Sequence, residues 1–538
     1  MKKHYQLLLV ALALQATAQE VSFSPVNFGT GTYNACTVDM NGDYLDDIVT
    51  ILPNNLRVYK QLPGGGFETI NYPVSGLGTG FVTPDWSIAA GDFDKNGFTD
   101  LALGNGSRVT LVKANADGSG YGLVFYPQNI FTQRTNFVDI NNDGHLDLFA
   151  CHDVAQNHAY RNDGAGNLNF DISLFPTLAV GGNYASIFTD YDNDGDVDMY
   201  MAKCRGGAPA GDPQRINLLY KNNGDGTFSE VGAAAGVADG AQSWSTGVAD
   251  FDNDGDMDFL VSNITDQNRL YRNNNDGTFT NIYATTGISP QVGSWEIQTA
   301  DFNNDGWIDF LWQNSTQLYL NNGNMTFSPV SLPVDKGGIA DLNNDGFLDV
   351  QNGNTVFFNE GNDNKWIKLH LQGVQSNRNG IGARIEIYGT WGKQIREVRS
   401  GESFSVMNSL NTHFGIGAAT EIEKVIVRWP SGTVDVINNP QPNNSLFVLE
   451  GSSPLAVTEA DIKSFTVAPV PAIDFLQFKN ANGNAVLQAT IYDINGRVVS
   501  RHDVSNNQLS ITHLTSGLYF VSLTDLNGVQ FATRFIKK

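Results

Sequence analysis

The sequence predicts an all-β protein built mainly from a sevenfold repeat, and three observations lead to that fold class. Seven acidic nine-residue segments recur along the chain, and their first residues are separated by 53, 47, 51, 60, 51 and 40 residues. Short apolar runs flank each segment, as Ser245 to Ala249 and Phe259 to Val261 do. Turns rich in Asn and Gly follow, which is typical of β-hairpins. The period suits one four-stranded blade, so residues 19–363 are predicted to form a seven-bladed β-propeller.

Each repeat should contain a strand, the acidic loop, a strand, a connection, a strand, a hairpin and a last strand. The hairpin is clearest from Leu219 to Phe228 and from Leu270 to Phe279, with a looser copy from Leu318 to Phe327. The seventh repeat has no such hairpin and fourth strand after Thr355 to Phe358. Because Val21 to Val26 resembles a fourth strand, we expect the amino-terminal segment to complete the last blade and close the ring.

The acidic segments have the donor types and the spacing of a metal-binding loop. Asp or Asn stands at positions 1, 3 and 5 and Asp at position 9, so the side chains can converge if the backbone turns sharply. The candidate ligands are Asp39, Asn41, Asp43 and Asp47; Asp92, Asp94, Asn96 and Asp100; Asp139, Asn141, Asp143 and Asp147; Asp190, Asp192, Asp194 and Asp198; Asp250, Asp252, Asp254 and Asp258; Asp301, Asn303, Asp305 and Asp309; and Asp341, Asn343, Asp345 and Asp349. Carboxylate and amide oxygens without a Cys or His cluster select Ca²⁺, so up to seven calcium ions are predicted.

Glycine at position 6 permits the sharp turn in six of the loops, and loop one departs from that pattern. The six glycines are Gly97, Gly144, Gly195, Gly255, Gly306 and Gly346. In loop one Tyr44 holds the position, and Gly42 stands two places earlier. An EF-hand would need a Glu at position 12 between two helices, whereas Val261 or Trp312 stands there between strands. A set of Asx turns without metal is the alternative, and seven matching copies disfavour it.

The charge of the chain agrees with bound cations and excludes some partners. A formal net charge of −24 argues against a nucleic-acid partner and against docking on an anionic membrane surface. The ligand positions of the seven loops carry 23 carboxylates, which without metal would repel one another or take up protons. Seven calcium ions add 14 positive charges and would bring the net charge from −24 to −10.

Residues 1–18 are predicted to be a signal peptide. A basic start precedes an apolar run from Tyr5 to Leu14, and small residues precede the expected cleavage before Gln19. No later segment reaches the ~20 apolar residues that a membrane-spanning helix needs. We therefore expect a secreted protein without a transmembrane segment.

The cysteines exclude a disulfide scaffold, because the chain has only Cys36, Cys151 and Cys204. Cys151 and Cys204 fall at similar places in consecutive repeats, so a bridge between them is possible. Three small buried thiols are the alternative. The sequence leaves this choice open.

The repeats resemble the FG-GAP (VCBS-type) repeats of integrin-α-like propellers over roughly Val21 to Asp363. The resemblance implies that the loops bind calcium structurally and join the first two strands of each blade. Residues 364–451 resemble the ASPIC/UnbV domain of cartilage-acidic-type proteins. The matching segments include Asn364 to Leu369, Ser376 to Arg384, Arg396 to Ser400, His413 to Gly417 and Val427 to Gly432. This resemblance implies a β-rich domain and no catalytic residues; its Arg and His side chains could bind an anion or form structural ion pairs.

Residues 452–463 are interpreted as a linker, and residues 464–538 resemble the carboxy-terminal sorting domain of type IX secretion substrates. The segments that carry this resemblance are Ala468 to Pro471, Ile491 to Arg497, Leu514 to Phe520 and the basic end from Arg534. The resemblance implies a small immunoglobulin-like β-sandwich. It also implies handling by the type IX secretion machinery and release, or attachment to the outer-membrane surface.

The chain has no Gly-x-Ser-x-Gly, His-Glu-x-x-His or phosphate-loop motif. His152, His158 and Glu296 could lie near the propeller mouth, but they form no nucleophile–base set and are interpreted as ordinary surface or loop residues. The leading hypothesis is a non-enzymatic binding or adhesion module for a glycan or protein ligand. A polysaccharide-degrading enzyme that uses a propeller face is the alternative.

A row of aromatic residues predicts where a ligand would bind. Six residues before the first Asp of five loops stand Tyr33, Trp86, Tyr184, Trp244 and Trp295. At ~3.3 Å per residue these positions lie about 20 Å from the loops, at the opposite end of the innermost strands. The rings there could stack on a sugar or peptide, or they could only wedge neighbouring blades apart.

Overall fold

The computed structural model describes residues 21–29, 36–52, 55–75, 86–264, 266–289, 295–313, 317–402, 406–452, 465–468, 472–480, 486–492, 498–504, 506–525 and 530–538. Strands dominate these residues, which confirms the all-β class. Helix α1 (Gly232–Ala235) and a 3-10 turn (Tyr283–Thr285) are the helical elements of the described part. The expected signal peptide, Tyr33 and nearly all of the expected linker lie outside the described residues and stay predictions.

The repeats contain twenty-eight described strands. They are β1 (Phe23–Asn27), β2 (Cys36–Val38), β3 (Asp47–Ile51), β4 (Asn55–Gln61), β5 (Phe67–Ser75), β6 (Ser87–Gly91), β7 (Asp100–Gly104), β8 (Val109–Ala114), β9 (Tyr121–Phe125), β10 (Thr132–Val138), β11 (Asp147–His152), β12 (His158–Asn162), β13 (Leu168–Phe170), β14 (Asn183–Thr189), β15 (Asp198–Lys203), β16 (Leu218–Asn222), β17 (Phe228–Glu230), β18 (Ser243–Ala249), β19 (Asp258–Asn263), β20 (Arg269–Asn273), β21 (Phe279–Asn281), β22 (Ile297–Ala300), β23 (Asp309–Trp312), β24 (Gln317–Asn321), β25 (Phe327–Ser331), β26 (Gly338–Ala340), β27 (Asp349–Asn352) and β28 (Thr355–Asn359).

The strands of a repeat pair in chain order as an antiparallel meander. Four consecutive strands make each of the sheets β10 to β13, β14 to β17, β18 to β21 and β22 to β25. The sets β2 to β5 and β6 to β9 have the same order and join into one eight-stranded sheet. They join because the outer strands β5 and β9 pair in parallel, Val74 with Tyr121 and Ser75 with Gly122.

The amino-terminal strand completes the last set, as predicted. Strand β1 pairs antiparallel with β28, from Phe23 opposite Asn359 to Asn27 opposite Thr355, and gives the order β1-β28-β27-β26. The Phe23 ring also packs edge-on against Phe302 of the preceding repeat, with ring centroids 6.3 Å apart. The chain therefore brings its beginning back to the seventh repeat.

The core lies between neighbouring sheets. The first strands of successive repeats lie side by side, β26 against β2, β6 against β10, and β10, β14, β18 and β22 in succession. One apolar cluster, for example, joins Ile187 and Tyr200 of one repeat to Val248 and Phe259 of the next. Every residue of β10 and β11 is buried, because these inner strands have protein on both faces.

Two further β-rich regions follow the repeats. The first contains β29 (Lys365–Gln372), β30 (Arg384–Gly389), β31 (Gly392–Glu397), β32 (Thr412–Gly417), β33 (Lys424–Arg428), β34 (Val434–Asn438) and β35 (Asn444–Leu449), arranged as the sheets β32-β29-β35 and β31-β30-β33-β34. The second contains β36 (Phe465–Ala468), β37 (Phe475–Asn480), β38 (Val486–Tyr492), β39 (Val498–Asp503), β40 (Gln508–Ser510), β41 (Gly517–Asp525) and β42 (Gln530–Lys537), arranged as β36-β37-β40 and β39-β38-β41-β42. We call residues 365–451 the cap and residues 465–538 the tail.

The three cysteines are buried free thiols. Cys151 and Cys204 are therefore separate thiols, and the possible bridge between them is not formed. Cys151 faces the Ser186 hydroxyl, and Cys204 accepts a hydrogen bond from Trp244 Nε1 at 3.1 Å.

Candidate metal centres

Each acidic loop joins the first two strands of a repeat, and its ligand positions are fixed by those strands. Position 1 directly follows the first strand, and position 9 is the first residue of the second strand in all seven repeats. The position-1 carboxylate accepts hydrogen bonds from the backbone N–H groups of positions 5 and 6. In loop three Asp143 and Gly144 donate to Asp139 at 3.0 and 2.8 Å. This wraps the loop around its own first side chain.

Two positions of every loop have left-handed backbone, and the sequence prediction identified only one of them. Position 6 has positive φ in all seven loops, and so has position 4. The position-4 residues are Gly42, Lys95, Asn142, Asn193, Asn253, Asn304 and Asn344. Asn tolerates this conformation better than most residues do. Loop one follows the same path, because Gly42 occupies position 4 and Tyr44 adopts φ of 68° at position 6.

The position-9 carboxylates are buried and tie each loop to the third strand. Asp198 illustrates the pattern, since its Oδ2 accepts from Tyr191 N at 3.3 Å and its Oδ1 from Asn222 N at 2.7 Å. The equivalent pair of bonds occurs in every loop. Position 9 therefore stabilises the sheet as well as offering its remaining lone pairs to a ligand.

Three loops bring three carboxylates together closely enough to hold a metal ion. The groups are Asp92, Asp94 and Asp100; Asp190, Asp192 and Asp194; and Asp250, Asp252 and Asp254, each with ligand oxygens within 4.8 Å of one another. The other four loops have Asn at position 3, so they bring fewer carboxylates together.

The position-3 oxygens indicate that a cation fits these loops. Asn141 Oδ1, Asp192 Oδ1 and Asp252 Oδ1 are buried, and none has a hydrogen-bond partner in the described part of the chain. Lysines from the third strands face some of the loop acids, as Lys113 does with Asp94 at 3.0 Å and Lys221 with Asp194 at 3.0 Å. Buried oxygen acceptors without donors, beside carboxylates, are the environment that a hard cation requires.

Burial raises the pKa of the loop carboxyls, and the neighbouring carboxylates add to the effect. At position 1 the pKa is raised to about 6 for Asp39, about 7 for Asp92, Asp139, Asp190 and Asp250, and about 8 for Asp301. At position 9 it is raised to about 7 for Asp147 and about 9 for Asp198. Without a cation, protonation of these buried carboxyls is favoured, and a bound cation would compete with the protons.

The cap lies on the loop end of the repeats, and its positively charged side chains face the loop acids. Lys368 Nζ donates to Asp341 Oδ2 at 2.7 Å, and both side chains are almost fully buried. Arg378 Nε lies 3.1 Å from Asp92 Oδ2. The charge of Arg396 acts on the position-1 carboxylates of loops five and six. For Arg378 the expectation of an ion pair, rather than an anion site, is correct.

The cap also contacts the turn positions of the loops. His413 Nε2 lies 2.8 Å from Asn304 Oδ1, and Arg384 Nη2 donates to Gly255 O at 2.7 Å. Tyr44 of loop one donates its hydroxyl to Gln372 and packs its ring against Phe447. Tyrosine at position 6 is therefore a contact residue of the cap, which explains the departure from glycine.

One segment of the cap enters the space between the inner strands. We call residues 399–402 and 406–411 the channel segment. Its backbone and side chains hydrogen-bond inner strands of six repeats, with partners Thr37, Ala90, Asn136, Val248, Gln298 and Ile339. In the remaining repeat, which is the fourth, Thr189 Oγ1 donates to Glu397, a residue just before the channel segment. At the loop end, the protein itself therefore fills the space between the inner strands.

Sequence reasoning missed these cap residues, although strand β29 carries a signal for them. Ile367, Leu369 and Leu371 point into the apolar cluster of the cap, and the alternate residues Lys368 and His370 point the other way and are also buried. The alternation predicts a half-buried strand, but it does not show that the polar face meets the loops. A buried pair, Arg134 with Glu296 at 3.3 Å, was likewise missed, so the interpretation of Glu296 as a surface residue is wrong.

The predicted ligand face contains three neighbouring rings. Trp244 lies 3.9 Å from Trp295 and 6.4 Å from Tyr184 between ring centroids. Trp86 instead packs edge-on against Phe131. Trp244 is the second residue of β18, whose other end leads into loop five, so the rings lie at the end of the inner strands away from the loops. Trp295 is 38% exposed.

Comparison with known families agrees with this organisation. Residues 39–103, 139–201, 190–261 and 250–312 match the FG-GAP-like repeat, and residues 85–125 match the FG-GAP repeat. Residues 373–455 match the family "ASPIC and UnbV", and residues 466–538 match the secretion system C-terminal sorting domain. The protein thus combines FG-GAP repeats, an ASPIC/UnbV domain and a secretion sorting domain in one chain.

Among individual proteins the chain is similar to cartilage acidic protein 1. The Homo sapiens protein is 28% identical over 253 residues, which cover 40% of this chain and 37% of that protein. The Mus musculus protein is 27% identical over 253 residues, covering 40% and 38%. The chain thus matches less than two-fifths of the length of these relatives. A solved Agrocybe aegerita lectin that recognises non-reducing terminal N-acetylglucosamine has 19% identity and a TM-score of 0.38, covering 58% of this chain and 80% of that one.

The sorting domain places the protein outside the cell. It directs secretion by the type IX system to the cell surface or the extracellular space. No helix of the described residues is both long and apolar enough to span a membrane.

Proposed function

We propose that this protein is a calcium-binding seven-bladed propeller that acts as a non-enzymatic binding or adhesion module at the cell surface. Its parts are the propeller over residues 19–363, the ASPIC/UnbV domain over 364–451, a linker over 452–463 and an immunoglobulin-like sorting domain over 464–538. The observation that carries the proposal is that the cap covers the loop end of the repeats. Because that end is covered, we expect a ligand to bind at the opposite end, where Tyr184, Trp244 and Trp295 lie together.

The order of the sheets supports seven blades. Four-stranded sets from β2 to β25 account for six repeats, and β26 to β28 with β1 account for the seventh. Pairing of the first chain segment with the last repeat is the usual way in which a propeller ring is closed without exposed edges.

Calcium is the cation that best fits the loop donors. All side-chain donors are carboxylate or amide oxygens, and a backbone carbonyl and water would complete the coordination. At free calcium a hundredfold above Kd, each site adds about 2.7 kcal/mol to the unfolding free energy. The three carboxylate clusters alone would then contribute about 8 kcal/mol, so chelation should lower Tm by on the order of 10 °C. Calorimetry on protein shown to be metal-free checks this, and identical curves with and without calcium contradict it.

The ligand face is tested by removing the two neighbouring tryptophans. The double variant Trp244→Ala/Trp295→Ala is compared with wild type on a glycan array, with Trp391→Ala in the cap as the control. If the rings are a platform, the double variant loses ligand binding with little change in Tm, while the control binds as wild type does. If they are only wedges, each substitution costs ~3–5 kcal/mol and the remaining folded fraction still binds. Reproducible product release from soluble polysaccharides would instead favour the enzyme.

A further inference from the structure

Asp46 interrupts the pattern of the loops at a position where no ligand is expected. It occupies position 8 of loop one, next to the ligand position Asp47. The equivalent residues in the other six loops are Thr99, Leu146, Val197, Met257, Ile308 and Leu348. An acid at a position that is otherwise apolar or a threonine needs a local reason, because burying a charge without a partner is costly.

The surroundings of Asp46 satisfy only one of its two oxygens. The residue is 2% exposed. Its Oδ1 accepts hydrogen bonds from Ser409 Oγ at 2.6 Å and Asn411 Nδ2 at 2.9 Å, both in the channel segment. Its Oδ2 is buried and has no hydrogen-bond partner in the described part of the chain. Lys368 acts on Asp46 at longer range, but its ammonium group donates to loop seven.

A small cavity lies where Asp46 meets the cap. It has a volume of about 50 Å³, which exceeds the roughly 10–15 Å³ that one water molecule needs. Its charged lining residues are Asp39, Asp46, Asp92 and Arg378, so three carboxylates and one guanidinium give a formal charge of −2. Thr99, Gln372, Asn379, Asn411 and Tyr44 add polar groups to the lining, and Leu371 and Leu410 add apolar ones.

We propose that this cavity is an additional divalent-cation site, which binds Ca²⁺ between the first repeat and the cap with Asp46 Oδ2 as its defining ligand. The donors are hard oxygens, which suit Ca²⁺, and Asp46 adds a carboxylate beside those assigned to loops one and two. A cation there would compensate the unpaired carboxylate. It would link loop one to Ser409 and Asn411, and it would be separate from an ion inside the loop. This inference does not depend on the ligand face.

The test counts calcium ions in variants of the mature full-length protein. Asp46→Asn keeps an oxygen that accepts from Ser409 and Asn411 but removes the charge. Equilibrium dialysis with calcium alone, or native mass spectrometry, should then find one ion fewer than in wild type. Asp435→Asn is the matched control, since Asp435 is buried in the cap and bound by Trp429 Nε1 and Gly451 N; it should leave the count unchanged. An equal count in Asp46→Asn and wild type overturns the proposal.

A double variant separates the new site from the ion of loop one. Asp43→Asn alone should remove the loop-one ion, and Asp43→Asn/Asp46→Asn should lose two ions relative to wild type. A loss of only one would place Asp46 in the loop site and overturn the proposal. If the loops themselves bind no calcium, wild type should bind one ion and Asp46→Asn none. Failure of the loop proposal can therefore be distinguished from failure of the Asp46 proposal.

A second substitution keeps the test decisive if Asp46→Asn does not fold. Asp46→Leu introduces the residue that loops three and seven have at this position. If calcium binds at Asp46, wild type should gain more Tm from added calcium than Asp46→Leu does. If the cavity holds only water, Asp46→Leu should gain the same Tm from calcium as wild type, which overturns the proposal.

Discussion

Adding one methyl group at position 6 of two loops separates backbone strain from contact with the cap. Gly195 and Gly346 occupy this position with φ of 92° and 86°, so alanine at either costs about 1–2 kcal/mol for the left-handed conformation. At Gly195 the new Cβ would meet nothing within 4 Å, whereas at Gly346 it would lie 1.8 Å from the Trp366 ring. Trp366 is buried in β29, and overpacking of a buried contact adds about 1–3 kcal/mol.

We therefore expect Gly195→Ala to lose about 1–2 kcal/mol of unfolding free energy and Gly346→Ala about 2–5 kcal/mol. Urea unfolding of both variants and wild type at saturating calcium measures the difference by linear extrapolation. Limited proteolysis should in addition cleave the cap faster in Gly346→Ala than in Gly195→Ala. Equal losses, with equal proteolysis, would show that the cap does not rest on loop seven in solution and would refute the interface described above.

Three further predictions concern protons, ring closure and export. Burial raises the pKa of Asp92, Asp139 and Asp250 to about 7. The folded calcium-free protein therefore binds more protons than the unfolded chain between about pH 4 and pH 7. Its unfolding free energy should fall as pH rises through that window. Buried histidines with lowered pKa, such as His413, oppose this trend but are fewer than the carboxyls. Urea unfolding of the chelated protein should therefore give a higher midpoint at pH 5 than at pH 7.5. An equal or lower midpoint at pH 5 contradicts the prediction. Deleting residues 21–27 should destabilise the protein by about 3–5 kcal/mol or more, since it removes the burial of Phe23 and bares the edge of β28; a monomeric truncation with unchanged Tm argues against closure. Removing residues 464–538 should leave the protein in the periplasm by cell fractionation, and its undiminished appearance outside the cell would count against the sorting assignment.

The local structure of the repeats could be predicted because each element is specified within a few residues. The loops contain their own turn, with Asp139 accepting from Asp143 and Gly144, and the flanking strands carry their own apolar pattern. The pairing of β1 with β28 was also predictable, since the seventh repeat lacks one strand and Val21 to Val26 resembles one. Position 4 could have been predicted too, because Asn304 and its counterparts repeat at one spacing.

The position of the cap could not be predicted, because no local pattern encodes it. Lys368 and Asp341 are 27 residues apart, and His413 and Asn304 are 109 apart, so neither pair leaves a periodic signal. A lysine in an alternating strand usually faces solvent. Only the structure shows that the polar face of β29 meets the loops. The same holds for Arg134 and Glu296, which are 162 residues apart in the chain.

The channel segment has a consequence for the order in which the molecule can assemble. Thr37 N donates to Met407 O, and its hydroxyl bonds the same carbonyl across a separation of 370 residues. Asn136 Nδ2 likewise donates to Ser400 O and Gly401 O. During synthesis these inner-strand groups lack their native partners until residue 407 has emerged, and in the repeats alone only water could take the place of those partners. The channel segment is synthesised after all of the repeats whose inner strands it contacts. Folding is therefore complete only when this segment has inserted between those strands. A chain cut after residue 363 would therefore be a folding intermediate rather than an independent domain.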